Sequence, residues 1–324
     1  MTSAAEAASR EPSALRIGLI AGVCAYLMWG LFPAFFRLLD HVPPAEIVAH
    51  RILWSVPVGA LLLTLRKQWS EVRAAFANLK VLGALALSAL CITGNWLIYI
   101  WAVANDRVIE ASLGYYINPL VFIAAGVFVL RETLSRLQIF AVALATAGVL
   151  TLTFGAGTFP WVAATLAISF SAYGYIRKMT PVGALPGLFI ETMLLSPAAF
   201  LFLVFLQGRG ALAFGSISTE TDLLLAFSGP LTVGPLVLFA IAARRLPLAT
   251  VGFLQYISPT GQFLLGLLFG EPFTTTHAAA FGLIWTALAI SSVEAVRKNR
   301  AERLARAAAG ALPVSRSPSA SPKS

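Results

Sequence analysis

Apolar runs of helix length recur along the chain, each closed by a short polar break or by one rich in glycine and proline. A helical crossing of a bilayer takes about 20 apolar residues, with a range of roughly 17 to 25. On that measure the pattern predicts ten spans, at 17–38, 46–65, 80–103, 109–130, 137–154, 159–178, 186–206, 222–243, 248–269 and 275–296. The first run, from Ile17 to Leu38, is longer than a signal-peptide core and has no small-residue cleavage site before the next polar segment, so it reads as a retained span. Residues 1–16 are small, polar and rich in Ala and Ser, and residues 297–324 pass from a basic, helix-like segment into Ser, Pro and Lys. Both ends are expected to be disordered or to lie on the surface.

The pattern repeats with an offset of 140 residues. The stretch from Glu110 to Glu132 is echoed from Thr250 to Glu271: Tyr116-Ile117 returns as Tyr256-Ile257, Pro119 as Pro259 and Gly126 as Gly266. Gly94 maps to Gly234, Tyr99 to Phe239, Ala102 to Ala242 and Pro57 to Pro197. The predicted domains are therefore two five-span repeats, 17–154 and 155–296. An odd number of spans makes the second copy enter the membrane from the opposite side, giving inverted repeats about an in-plane axis. A proline inside a helix removes a hydrogen bond and bends it, so Asn118-Pro119 and Ser258-Pro259 are expected to kink two matching spans around a shared midplane space.

Composition agrees with a bilayer protein: 58% of the 324 residues are hydrophobic and 11% charged, and the mean hydropathy is +0.83. A net charge of +9 would suit nucleic acid, but the basic residues gather in connections and in the tail without interleaved aromatics, so no nucleic-acid partner is expected. Nineteen of the 23 Lys and Arg residues fall on the side that holds both termini. Arg37, Arg107 and Arg209 fall on the other side, and Arg51 lies inside a span. Cytoplasmic loops carry the basic excess, so both termini are predicted to be cytoplasmic. Cys24 and Cys91 sit in apolar spans and read as packed thiols.

Six segments carry a family resemblance: Ala25-Tyr26-Leu27-Met28-Trp29-Gly30, Glu46-Ile47-Val48-Ala49-His50-Arg51, Gly94-Asn95-Trp96-Leu97, the run from Glu110 to Pro119, Ile190-Glu191-Thr192-Met193 and the run from Gly252 to Pro259. Together they resemble the RarD branch of the EamA, or drug/metabolite transporter, superfamily. The resemblance covers roughly residues 17–296. It implies a ten-helix secondary carrier of the inner membrane built from two fused EamA repeats, in a group associated with chloramphenicol sensitivity.

An ionised Arg51 inside a span needs a partner or water. Glu46, His50 and Arg51 cluster at near-helical spacing. The offset maps Arg51 onto Glu191, but inverted topology separates them by about 15 Å in depth, at about 1.5 Å per residue. Glu46 and Glu110 are therefore the expected partners of Arg51, and Arg244 and Arg245 those of Glu191, making two charged clusters that act as alternating gates. The substrate-facing cavity between them is assigned to Trp29, Asn95, Trp96, Tyr115, Tyr116, Asn118, Tyr173, Gln255, Tyr256 and Ser258. Aromatic faces with a few amides and hydroxyls suit a flat or amphipathic organic solute, including a cation. Gly94, Gly126, Gly234 and Gly266 read as close-packing sites between helices. Glu191 and His50 are the groups able to carry a coupling proton.

No nucleotide-cradling Gly-x-x-x-x-Gly-Lys-Ser/Thr loop and no His-Glu-x-x-His occur, and His41, His50 and His277 are scattered. Neither ATP-driven pumping nor a zinc centre is expected, and no cofactor or metal is assigned. The sequence thus predicts an all-α membrane protein that moves a small organic solute by alternating access, as a monomer or a homodimer. An intramembrane enzyme or lipid-handling protein is the alternative from another class, and a passive channel a weaker one.

Overall fold

The computed structural model describes residues 4–118, 135–155, 159–243, 245–246, 250–251 and 254–310, with the backbone alone at 4–14, 155, 295–296 and 298–310. The described chain is all-helical: α1 (Ala4–Gly30), α2 (Phe32–Arg37), α3 (Pro44–Arg66), α4 (Trp69–Phe76), α5 (Leu79–Ala104), α6 (Arg136–Gly155), α7 (Trp161–Met179), α8 (Ala184–Gly208), α9 (Thr219–Ala243), α10 (Ile257–Leu268) and α11 (Thr275–Gly310). Residues 108–118 are also helical. Helix α1 begins at Ala4, ahead of the apolar run, and α11 continues through the basic, helix-like segment to Gly310. Both extensions are rich in Ala, the strongest helix former. Residues 1–3 and 311–324 lie outside the described residues.

Seven segments are long and apolar enough to cross a membrane: Leu15–Arg37, Pro44–Arg66, Leu79–Ala104, Arg136–Phe154, Ala184–Gly208, Thr219–Ala243 and Thr275–Glu294. Each coincides with a predicted span. Of the other three, 109–130 runs largely outside the described residues, and α7 carries serines and Arg177-Lys178 in its second half. In the span predicted at 248–269, Tyr256 keeps right-handed helical backbone and the helix is interrupted just before Pro259, where the bend was expected. Residues 255–256 form a turn and α10 starts at Ile257, with Ser258 and Pro259 in its first turn. Proline is tolerated there because the first N–H groups of a helix have no intrahelical partner. Pro119, Gly126 and Glu132 lie outside the described residues.

Burial is reversed relative to a water-soluble protein. Leu61, Leu65, Phe200 and Leu201 are each at least 59% exposed, whereas Glu46 is 0%, Glu191 1% and Arg51 4% exposed. Such an apolar exterior around buried charge is the pattern a bilayer solvent selects. The protein is a multi-pass membrane protein.

Helix α3 packs antiparallel on α8, with Gly59 against Phe189 at the end where Glu71 reaches Gly183. Helix α3 also packs on α9, α5 on α7, α1 on α9 and α10, and α6 on α11. The closest approaches do not fall where the repeat suggested. Gly94 has open space around its Cβ position and Gly234 makes only an ordinary contact, 3.5 Å from Met28. Of that set, Gly266 alone among the described residues is tight, its Cβ position 2.7 Å from Ile109. Backbones instead meet at Gly229, whose Cβ position would collide with the Trp54 main chain, at Gly114 and Gly148, 2.8 Å from the Ala163 oxygen and 2.9 Å from the Ala280 oxygen, and at Gly261, 3.1 Å from Gly30 Cα. Small residues permit such crossings.

Candidate functional site

The α3–α9 crossing at Trp54 and Gly229 brings Arg51, one turn earlier on α3, level with Thr232, one turn later on α9. Arg51 Nε donates to Thr232 Oγ1 at 2.7 Å, and the Thr232 hydroxyl donates in turn to the Ser228 carbonyl at 2.7 Å. The guanidinium carbon lies 4.1 Å from the Trp96 ring centroid, 5.3 Å from that of Phe32 and 5.6 Å from that of Phe36. Arg51 is therefore caged by aromatic faces. Glu46 and Glu110, its expected partners, are engaged elsewhere, as described below.

Asn95 stands one residue before Trp96 and is fully satisfied. Its amide donates to the Leu166 carbonyl and to Ser169 Oγ, each at 3.0 Å, and its oxygen accepts from the Tyr115 hydroxyl at 3.0 Å. Tyr115 packs edge-on against Tyr99 and Phe170, at 5.7 and 5.9 Å, and Phe170 continues to Tyr173 at 6.1 Å. Arg51 thus belongs to one centre with Asn95, Trp96 and Tyr115. Sequence reasoning missed Thr232 and Tyr99. Thr232 follows Ser228 by one turn, and Ser228 is the 140-residue counterpart of Ser88, which was the available signal.

Glu191 forms a second centre on α8. Its Oε1 accepts from Ser88 Oγ at 2.5 Å and lies 3.5 Å from Arg177 Nε. Arg177, counted by sequence among loop charges, reaches inward and donates to the Gly183 carbonyl at 2.9 Å. Gly187 makes this possible, since a Cβ there would occupy the guanidinium. Tyr173 lies beside both charged groups. The partners expected from sequence are not used: Arg245 donates to the Ile241 carbonyl at 3.3 Å, and Arg244 lies outside the described residues. Ser88 has one proton for two acceptors, Glu191 and the Leu85 carbonyl at 2.9 Å. The network is complete when Glu191 supplies a proton of its own.

Glu46, Glu110, Glu271 and Glu71 act as caps on backbone N–H groups of other segments. Glu46 Oε1 accepts from Ala213 and Phe214 at 2.8 and 3.1 Å. Glu110 accepts from Val162 at 3.0 Å at the start of α7, and Arg107 is 2.9 Å away. Glu271 accepts from Val108 and Ile109 at 2.5 and 2.8 Å, and Glu71 from Gly183 at 3.1 Å at the start of α8. Helix starts carry unpaired N–H groups and positive potential, which a carboxylate satisfies. Burial pushes the Glu271 carboxyl above its ordinary range, and the donations from Ile109 and Val108 oppose this. His50 stacks on Phe214 at 4.8 Å, its Nε2 3.9 Å from Glu46 and without a hydrogen bond among the described residues.

The other predicted cavity residues divide. Tyr116 turns away from Tyr115, bonding Thr260 at 2.7 Å and packing on Phe281 and Trp285. Tyr256 joins the same cluster. Gln255 sits in the turn before α10. Trp29 packs on Tyr26 and Phe239, and its carbonyl accepts from Gln262, which also reaches Ser258, each at 3.2 Å. Asn118 is buried, with Oδ1 unpaired among the described residues. Two apolar grooves, of about 420 and 210 Å³, flank α3, and neither includes the Arg51 centre. No group of three or more metal-ligating side chains occurs among the described residues.

Residues 16–154 match the EamA-like transporter family. The chain is 46% identical over 290 residues to an uncharacterised transporter of Pseudomonas aeruginosa, covering 88% of this chain and 96% of that one. It is 44% identical over 308 residues to the protein RarD of Streptomyces exfoliatus, covering 95% and 98%. One solved crystal structure shares the fold with a TM-score of 0.54 at 20% identity, covering 87% of this chain and 98% of that one. With the reversed burial and the repeated crossing helices, these likenesses fix the assignment: the chain belongs to the EamA-like transporter family, as a RarD-type, multi-pass membrane protein.

Proposed function

We propose that the protein is a secondary active transporter that moves a small organic solute across the cytoplasmic membrane by alternating access between two inverted five-helix repeats, with both termini in the cytoplasm. One observation carries the reading. Arg51 and Glu191 are 140-residue counterparts, and each is bound by a hydroxyl helix of the other repeat, Arg51 by Thr232 on α9 and Glu191 by Ser88 on α5. The packing of α1 on α9 and of α5 on α7 follows the same exchange, as does that of α6 on α11. Halves joined by such reciprocal contacts can rock about a midplane site. The single Ser88 proton supports Glu191 as the coupling group, protonated in one state and paired with Arg177 in the other.

Counterflow in proteoliposomes tests the proposal. A carrier gives saturable exchange of labelled solute stimulated from the trans side, with Glu191→Gln retaining exchange and losing proton-driven accumulation. Flux without trans-stimulation, or conversion of the solute to a product, would overturn it.

A further inference from the structure

Among the described residues, the Arg51 guanidinium has no anionic partner. A guanidinium offers five in-plane N–H donors, and here Nε alone has a hydrogen-bond partner among the described residues, while Nη1 is shut away from solvent with none. The aromatic cage supplies rings and no hydrogen-bond acceptor to the remaining N–H groups. Cation–π contacts offset part of the cost of burying the charge, but an arginine without an in-plane acceptor still forfeits its strongest interaction.

The buried glutamates among the described residues contact other groups. Glu46 holds the Ala213 and Phe214 N–H groups, Glu110 holds Arg107 and Val162, Glu191 holds Ser88 and Arg177, and Glu271 holds Val108 and Ile109. Thr232 has spent its one proton on the Ser228 carbonyl. Beside the cage, the Tyr99 hydroxyl is also buried without a partner among the described residues, and its ring continues from Phe36 to Tyr115. The centre therefore offers an unpaired guanidinium edge, a spare hydroxyl and an aromatic wall.

We infer that Arg51 anchors the acidic group of the transported solute, which is an organic anion: a carboxylate on an aromatic or apolar body, its oxygens on the free guanidinium edge and its body along Trp96 and Tyr115. This inference rests on the transport reading for its flux and stands on its own for binding. It departs from the cationic solute that the aromatic residues alone suggested, because a fixed cation inside the cage repels a second one.

The test uses the full chain in lipid nanodiscs with three probes of one ring size, benzoate, benzamide and benzylamine, read as the shift in thermal unfolding midpoint against concentration. Benzoate gives a saturable rise at millimolar concentrations, and the neutral and cationic probes act at least about tenfold more weakly. Arg51→Gln weakens benzoate about ten- to hundredfold, the loss of hydrogen bonds to a charged group. Arg51→Lys keeps the charge, and so the fold if Arg51→Gln fails to assemble, but loses the fork and weakens benzoate about tenfold. Equal response to all three probes, no saturable benzoate effect, or unchanged benzoate affinity in either variant overturns the inference. Benzoate binding without benzoate counterflow would sink the transport reading and leave the site. Arg51-independent counterflow of benzylamine would sink the site and leave transport.

Discussion

Arg177 Nε lies 3.5 Å from Glu191 Oε1, and both side chains are at least 87% buried, so α7 and α8 are joined by a buried ion pair when Glu191 is ionised. Breaking such a pair from one side strands a buried charge and costs about 3–5 kcal/mol, whereas removing both partners costs far less. Arg177→Gln is expected to destabilise the protein by about 3 kcal/mol, and Arg177→Gln with Glu191→Gln to recover more than half of that. Unfolding in mixed micelles measures the cycle. Additive losses would show that the two residues act independently.

Gly187 faces the same guanidinium, and its missing side chain is what lets Arg177 turn inward. Gly187→Ala should expel Arg177 and leave Glu191 with Ser88 alone. Replacing glycine within a helix normally gains about 0.5–1 kcal/mol. Here the change should cost about 1–3 kcal/mol, the range for overpacking, and should add little when Arg177 is already Gln. A gain in stability would mean that Arg177 does not occupy this space.

Much of the scaffold was legible because bilayer length and hydrophobic runs leave few options, and seven crossing segments fall on predicted spans. Arg51, Glu191 and Asn95 were legible as positions that need buried partners because a polar group inside an apolar run must be compensated. Their partners were not. Thr232 and Ser88 look like ordinary helix hydroxyls until a helix crossing aligns them, and Arg177 looks like a loop cation because only the gap at Gly187 reveals its inward turn. Glu46 and Glu110 were not legible as backbone caps, because sequence shows the carboxylate and hides the N–H groups of another segment that it holds. The bend expected at Ser258-Pro259 shows as an interruption at residues 255–256, because Pro259 has no N–H for the Gln255 carbonyl one turn earlier.

Glu271 sits outside the crossing segments and caps the 108–118 helix through Val108 and Ile109. Its carboxyl titrates above the ordinary range because burial outweighs the two N–H donations. A folded value above the unfolded one, about 4.3 for Glu, means that the folded state holds the proton more tightly. The stabilisation from this group is then fully present below the unfolded value and declines as pH rises through the folded one. The melting midpoint of the wild type relative to Glu271→Gln should therefore rise as pH falls from 7 towards about 4.3. A difference that shrinks on acidification would show that the cap favours the ionised form.

Two glycines separate close packing from mere sequence echo. Gly94 pairs with Gly234 in the repeat, yet its Cβ position meets nothing within 4 Å, while the Cβ position of Gly229 falls on the Trp54 main chain. Gly94→Ala should be neutral or gain up to about 1 kcal/mol through helix propensity. Gly229→Ala should force α3 and α9 apart where Arg51 meets Thr232, costing about 1–3 kcal/mol and releasing Arg51 Nε. The second effect is specific: Thr232→Val should add almost nothing in the Gly229→Ala background, while costing about 1–3 kcal/mol in the wild type by leaving a buried donor unpaired. Thermal unfolding of the four single and combined variants in nanodiscs checks both statements. Full additivity of Gly229→Ala and Thr232→Val would show that the crossing does not set the Arg51–Thr232 contact.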